Sequence, residues 1–159
     1  MRDHYVVGFD INDDRYYTIW YTGTTDGFIT ENERLLYFKE LGDLKEYARS
    51  HELPLGDGIT NFNGDRIMSD IDPEINCSPV LDLWNIISDM AGSLHIKFSG
   101  DDKAYNTEYA KLISGCGLPA LEHGHFEPEW TKGERDNIKR IIGEGIYILN
   151  SAFNAPPEN

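Results

Sequence analysis

Basic residues are scarce in this sequence, in which 14 Lys and Arg stand against 28 Asp and Glu. The resulting net charge of −14 at pH 7 repels the phosphates of nucleic acids and the anionic surfaces of membranes. The same field attracts basic proteins. The composition therefore argues against direct binding of DNA, RNA or membranes and favours a basic protein partner.

Cysteine is also scarce, since only Cys77 and Cys116 occur. Neither belongs to a CxxC or CxxH pair, so neither a disulfide framework nor a zinc knuckle is expected. We predict buried or partly buried thiols. A nucleophilic pair of Cys116 with a histidine is disfavoured, because the flanking "SGCGLP" indicates a turn rather than a setting that lowers a thiol pKa.

Long apolar runs are missing as well. No run approaches the roughly 20 residues that cross a bilayer, and the start "MRDHYVVGFD" lacks the charged and then apolar pattern of a secretory signal. We therefore expect a cytoplasmic protein.

The common catalytic motifs are absent too. The sequence has no GxSxG nucleophile elbow, no GxxxxGK[ST] phosphate loop and no GxGxxG turn after a strand. We predict no catalytic residues and no cofactor.

The apolar residues that are present indicate one globular domain with an N-terminal sheet. Hydrophobic residues make up 40% of the chain, and its length suits one core, so we predict a domain over residues 1–153 and a frayed tail over 154–159. The runs "HYVVGFD", "RYYTIWYTG", "TTDGFIT" and "RLLYFK", separated by Gly, Asn and Asp, indicate an antiparallel meander within residues 4–40. Alternation places Tyr16, Thr18 and Trp20 on one face of its second strand.

Helical spacing dominates after the meander. We predict helices over 41–51, over 79–92 with Ser78 as N-cap and Trp84 buried, and over 103–114 before Gly115. A last helix over 131–152 starts at a capping box formed by Thr131 and Glu134. Residues 55–76 are expected to form loops with short strands near 59–62 and 66–71. The predicted fold class is α/β of the α+β type, with a mainly antiparallel sheet packed against several helices.

The segment "LEHGHFEPEW" (residues 121–130) has the highest density of potential metal ligands. Its histidines, His123 and His125, stand at i and i+2 in a stretch broken by Gly124 and Pro128, whereas a zinc-protease helix needs them at i and i+4. No second His-rich or Cys-rich segment supplies further ligands. We interpret the segment as a solvated loop that leads into the last helix and predict no metal site.

Acidic residues crowd into two other regions. "FDINDD" and "SDIDPE" alternate carboxylates as calcium loops do, but both lack Gly at the sixth and Glu at the twelfth position. Aromatic residues beside carboxylates suit a protein interface, in which charge speeds encounter and buried rings supply binding energy. We predict partner-binding residues in the 10–26 hairpin and in the 57–74 segment. They are Asp13, Asp14, Tyr16, Trp20, Asp26, Asp57, Asp65, Asp70, Asp72 and Glu74, with Tyr16 expected to present an exposed ring.

The order of segments resembles a known family. "YYTIWYTG", "GFITENERLLYFKELGDLKEYARSHELPL" and "CSPVLDLWNIISDMAGSL" follow one another as in the immunity proteins of bacterial contact-dependent growth inhibition and related polymorphic toxin systems. The resemblance covers about the first hundred residues and rests on the strand meander and on the "DLKEYA" and "LDLWNII" helices. It implies an antitoxin that binds a cognate toxin domain in the cytosol and blocks it. Since many such toxins cleave nucleic acids, a basic, nuclease-type toxin is the expected partner.

Two other classes of function stay open. A small metal-dependent or carboxylate-dependent enzyme would use the 122–129 segment with Asp70 or Asp72. A structural adaptor subunit would instead use an exposed apolar patch.

The interpretation of residues 121–130 as a solvated loop is testable. Changing His123 and His125 together to Ala is expected to leave the unfolding temperature and any toxin neutralisation nearly unchanged, measured by thermal melts and by growth under toxin expression. Elemental analysis is the complementary measurement. Near-stoichiometric zinc in the purified wild type, lost together with function in the double variant, would overturn the interpretation.

Overall fold

Two long strands joined by a tight turn form the centre of the fold. In the computed structural model, which describes residues 2–72, 74–116 and 128–154, strand β1 (Asp3–Ile11) pairs antiparallel with β2 (Asp14–Thr22) along its whole length. Asn12 and Asp13 connect them with φ angles of 52° and 66°. Asn and Asp tolerate this left-handed conformation, which gives a hairpin turn the twist of its strands.

Short strands complete one side of the sheet. β3 (Gly27–Phe28) and β6 (Tyr37–Phe38) both pair antiparallel with β2. β4 (Thr30–Glu31) and β5 (Arg34–Leu35) form a separate small hairpin. These pairings agree with the predicted meander and with the α+β fold class.

On the other side of the sheet, the strand is longer than the short strand predicted near residues 59–62, and its parallel direction was not predicted. β7 (Leu55–Asn63) lies beside β1 and runs parallel to it, so the order is β3-β2-β1-β7 and the sheet is mixed. The strand predicted near residues 66–71 is wrong, because α2 (Gly64–Ser69) occupies most of that range. Asn63 causes the change: its side chain accepts a hydrogen bond from the Arg66 backbone N–H at 3.0 Å and caps the new helix.

Helices lie on both faces of the sheet. α1 (Leu41–Ser50) covers one face, where Leu44 packs with Val6 and Ile19. α3 (Cys77–Leu94) and α5 (Lys132–Asn154) pack on the other face and enclose the main core, and α4 (Asn106–Gly115) packs against both. Two 3-10 turns, Ser99–Asp101 and Lys103–Tyr105, precede α4.

Of three predicted helix starts, one is confirmed and two differ from the structure. The capping box is confirmed: the Glu134 backbone N–H donates to Thr131 Oγ1 at 3.1 Å, and the Thr131 N–H donates to Glu134 Oε1 at 2.9 Å. Ser78 is not the N-cap of α3, because the helix already starts at Cys77. The helix predicted from residue 103 starts as a 3-10 turn, whose first residues are capped by the Asp102 side chain, which accepts from the Ala104 N–H at 2.9 Å, and α4 itself starts at Asn106.

Helix α5 extends one residue beyond the predicted end of the domain at residue 153. Asn154, expected in the tail, is the last residue of α5, and residues 155–159 lie outside the described residues. In the described part of the chain, every helix is too short or too polar to cross a membrane.

Trp84 provides the test of the core. Its side chain is 2% exposed, and its Nε1 donates to the Gly100 carbonyl at 3.2 Å. Trp84→Ala is expected to lower the free energy of unfolding by about 3–5 kcal/mol, through lost apolar transfer energy and the cavity left behind. Tyr147→Ala, which removes a ring that is 72% exposed on α5, is the matched control and should cost less than about 0.5 kcal/mol. Denaturant titrations of both variants measure the difference, and a cost below about 1 kcal/mol for Trp84→Ala would contradict this core.

Candidate protein-binding site

Helix α3 has a polar side in addition to its core side. Leu83, Trp84 and Ile87 are buried, whereas Asp82 and Asn85 are exposed and Asp89 is half-buried. Residues three, four or seven positions apart share one face of a helix. The three polar side chains therefore form a row along α3 beside its buried stripe.

This row lines a cleft of about 710 Å³ between α3 and the sheet. Trp20 of β2 and Thr60 of β7 contribute from the strands, and Tyr109 contributes from α4. We call it the acidic cleft. Its polar and aromatic lining residues are Trp20, Asp26, Thr60, Asn61, Asp82, Asn85, Ser88, Asp89 and Tyr109, and its apolar lining residues include Val7, Phe62 and Ile86.

Hydrogen bonds orient the side chains of the acidic cleft. Trp20 Nε1 donates to Asp89 Oδ2 at 3.0 Å, which links β2 to α3. The Tyr109 hydroxyl donates to Asn85 Oδ1 at 2.6 Å, which links α4 to α3. Both aromatic side chains are half-buried, so their rings are partly fixed while part of their surface stays open. The cleft therefore presents pre-oriented aromatic and carboxylate groups.

Among the described residues that line the cleft, no cation balances these carboxylates. Its described lining contains Asp26, Asp82 and Asp89 but no Lys, Arg or His. Burial raises the pKa of Asp82. Burial also raises the pKa of Asp89, and repulsion from Asp26 and Asp101 adds to this effect, while the hydrogen bond from Trp20 opposes it. The acidic cleft is thus a negative, partly buried site whose charged carboxylates a nearby cation would stabilise.

A second, smaller cleft of about 500 Å³ lies at the hairpin end of the sheet, lined by Asp10, Asp13, Asn63, Asp65, Arg66 and Ser69. Here Asp10 has a cationic partner, and Arg66 is among the lining residues. Arg15 donates to both oxygens of Asp10, at 2.7 and 2.5 Å, and lowers the pKa of that carboxyl. Asp65 accepts from the Asn12 backbone N–H at 2.9 Å.

The predicted partner-binding residues divide between the two ends of the sheet. Trp20 and Asp26 line the acidic cleft, whereas Asp13 and Asp65 line the hairpin-end cleft. Asp14 and Trp20 are six residues apart in β2, which at about 3.3 Å per residue separates them by about 20 Å. The structure therefore does not bring the predicted set together into one surface.

The remaining predicted acids are solvated or paired. Asp57 and Glu74 are exposed. Asp14 pairs with Lys39 at 3.2 Å, and Asp70 pairs with Arg66 at 3.6 Å. Asp72 pairs with Lys139 and, at 3.8 Å, with Arg135.

Tyr16 does not present the exposed ring that was predicted. It shares the face of Trp20, as the alternation requires, but only 7% of it is exposed. Its ring stacks on Phe153 of α5 with a centroid distance of 4.2 Å, and the Lys39 ammonium lies 4.3 Å from its centroid. The expectation is wrong because the C-terminal helix covers this end of β2.

Sequence reasoning missed Asp82, Asn85, Asp89 and Tyr109. The signal for the first three was their spacing of three and four residues between the apolar positions of "LDLWNIISDM". Tyr109 gave no signal beyond its place in a predicted helix. These residues can be recognised as one site only in the folded structure, where they line the cleft between α3 and the sheet.

Most of the histidine-containing segment lies outside the described residues, which end at 116 and resume at 128. Of its acids, Glu129 is described, and its backbone carbonyl accepts from Lys111 Nζ at 2.7 Å. Within the described ranges, no three His, Cys, Asp or Glu side chains are grouped to hold a metal ion. Cys77 is buried and Cys116 is half-buried, as predicted, and burial raises the pKa of the Cys116 thiol.

Comparisons with known proteins give no assignment: no protein-family model, no curated protein and no solved structure matches this chain.

Asp89 tests whether the cleft carboxylates are unbalanced. A carboxyl whose pKa is raised by folding binds its proton more tightly in the folded state, so stability falls as pH rises from the ordinary value of 3.8 through the raised one. Asp89→Asn keeps an acceptor for Trp20 and removes the charge. At pH 7 we expect it to raise the free energy of unfolding by up to about 1 kcal/mol, since solvent screens part of the repulsion.

Denaturant titrations at pH 7 and pH 3 check the sign. The gain should vanish at pH 3, where the wild-type carboxyl is protonated in both states. Asp43→Asn, an exposed acid in the first turn of α1, is the control and should give no gain. A loss of more than about 1 kcal/mol for Asp89→Asn at pH 7 would contradict the account.

Proposed function

We propose that the protein is an immunity protein, an antitoxin that binds and neutralises a cognate toxin domain. The toxin domain is basic and of the nuclease type. The acidic cleft and its rim are the surface that binds it. The observation that carries the proposal is a cleft lined by three carboxylates, Asp26, Asp82 and Asp89, with no Lys, Arg or His among its described lining residues, and by the half-buried rings of Trp20 and Tyr109.

Charge complementarity supports this function. A nuclease must present cations to the phosphates of its substrate, so an acidic protein that occupies that groove replaces the phosphates. The chain has twice as many acids as bases, 28 against 14. Such a pair of proteins associates rapidly at low salt and excludes the nucleic acid from the groove.

The aromatic residues support tight binding. Trp and Tyr are the side chains that most often dominate the energy of protein interfaces. Trp20 is already held by Asp89 at 3.0 Å, and Tyr109 by Asn85 at 2.6 Å. Because these rings are oriented before the partner arrives, less conformational entropy is lost on binding.

The family resemblance points to the same role. Its two helical segments, "DLKEYA" and "LDLWNII", lie in α1 and α3. The α3 segment contains Asp82 and Asn85 of the acidic cleft. The resemblance and the cleft are separate lines of support, since the first rests on segment order and the second on geometry.

The test uses the partner that the proposal predicts, namely the short C-terminal domain of a large secreted protein encoded immediately upstream. Co-expression of the wild-type chain should restore growth of cells that make this domain, and the purified proteins should form a stable complex. Neutralising the cleft with Asp26→Asn, Asp82→Asn and Asp89→Asn should slow association at low salt at least about tenfold and flatten its salt dependence.

A matched variant separates the cleft from general acidity. Glu40→Gln, Asp43→Asn and Glu52→Gln remove the same number of charges from exposed positions in or beside α1, and this variant should associate within about threefold of the wild type. Association of the cleft variant at the wild-type rate in low salt would show that the toxin uses another face. Failure of the wild-type chain to restore growth or to form the complex would contradict the proposed function itself.

A further inference from the structure

We infer that the outer edge of β7 binds an extended, basic segment of the partner as an added strand. The inference rests on the proposed function, because it names how the partner is held beside the acidic cleft. Part of its test does not need the toxin domain. The two ideas can therefore fail separately.

β7 lies at the edge of the sheet. The strand order β3-β2-β1-β7 puts it last, and among the described strands it pairs only with β1. Its residues 57–61 are exposed. Neighbouring residues of a strand direct their backbone groups to opposite sides, so every second residue of β7 offers an N–H and a C=O to a new neighbour. A second extended chain is the ligand that matches such a row of groups.

The sequence of β7 leaves this edge open to pairing. Lys and Pro commonly protect exposed strand edges, and "LGDGITNFN" contains neither. Gly58, with a φ of 80°, and the register shift between His4 and Val6 both fall in the first half of the β7 pairing. From Ile59 to Asn63 the register with β1 is continuous. This regular stretch is about as long as an average strand, so an added strand can pair along it.

The two faces of the regular stretch differ, and the difference specifies the pattern of the added strand. Ile59 is 38% exposed and lies opposite Val6, which packs with Leu44 on the α1 side of the sheet. Thr60 lies opposite Val7 and lines the acidic cleft on the other side. The side chains of an added strand alternate between the same two faces. The segment therefore carries apolar residues on the Ile59 side and cations on the Thr60 side.

Charge decides between a partner and a second copy of this chain. Two copies would bring together a net charge of −14 each, which opposes association. β7 itself has Asp57 and no basic residue, and Asp82 and Asp89 line the cleft beside Thr60. A basic segment complements these groups, whereas a second β7 would only add another Asp57. The occupant is therefore a segment of a basic partner.

The first experiment uses a short peptide and two controls. The peptide is acetyl-Lys-Val-Lys-Val-Lys-Val-amide, titrated into the full chain at low salt and followed by two-dimensional NMR. Its binding should saturate and shift the amide signals of residues 59–63. One control has every backbone nitrogen methylated, which keeps the side chains and prevents strand pairing. The other has glutamate in place of lysine, which keeps the backbone and reverses the charge. Each control should bind at least about tenfold more weakly.

Two variants of the chain locate the binding. Asp57→Lys places a cation on the β7 edge and should weaken the lysine peptide at least about fivefold. Asp43→Lys makes the same change of charge at an exposed position of α1 and should leave binding within about twofold. The NMR spectra confirm that each variant is folded. Equal losses in the two variants would show attraction by the overall charge alone and would overturn the inference.

Two further results would also overturn it. Equal binding of the lysine peptide and its methylated control would show that no strand is added. The free chain should sediment as a monomer, and a dimer that the lysine peptide dissociates would show that a second copy occupies the edge.

The complex with the toxin domain gives a signature that strand pairing produces. Amides of alternate residues within 59–62 should gain protection from hydrogen exchange, because the others are already directed to β1. A complex that neutralises the toxin without this alternating protection would overturn the inference and leave the proposed function standing. If the lysine peptide binds β7 as expected but the chain does not neutralise the toxin domain, the strand site stands and the proposed function falls.

Discussion

The packing of α3 against the sheet is the interaction on which the rest of the structure depends. Trp84, Leu83 and Ile87 on this helix are buried in the main core, between the sheet and the other helices. Gly145 of α5 lies so close to Ile87 that any side chain there would overlap it. The burial of Trp84, Leu83 and Ile87 fixes which face of α3 is turned to the core, and the polar row therefore lies beside that face. The position of the acidic cleft thus follows from the packing of the core.

The distribution of ion pairs explains why the cleft stays negative. With 14 basic residues for 28 acids, the chain cannot pair every carboxylate. Arg15 balances Asp10 and lowers its pKa, and Lys111 balances Glu134 at 2.8 Å and lowers the pKa of that group as well. Asp89 has the opposite shift, since its neighbours are other acids and its main favourable contact is a neutral indole. Unbalanced charge of this kind reduces stability, and binding of a cationic partner would offset the cost.

Local signals predicted much of the fold. Alternation predicted β1 and β2, the Thr131 capping box predicted the start of α5, and helical spacing predicted the burial of Trp84.

The parallel strand β7 was harder to predict, because "LGDGITNFN" is an edge strand with most of its residues exposed and shows little alternation. α2 was missed since its six residues are too few to show a helical period. Tyr16 was misjudged because Phe153, which covers it, is distant in the sequence. The cleft was beyond prediction for the same reason, since Trp20, Asp89 and Tyr109 meet only after the helices have packed.

The central claim is that the acidic cleft is the face that meets the partner. Amide hydrogen exchange of the chain, alone and bound to the proposed toxin domain, tests it most directly because it reports which backbone segments the partner covers. The account predicts new protection in the exposed strand residues 58–61 and in the 23–26 turn, with α1 unchanged. Protection confined to α1 or to the 12–13 turn, with residues 58–61 exchanging as in the free protein, would contradict it.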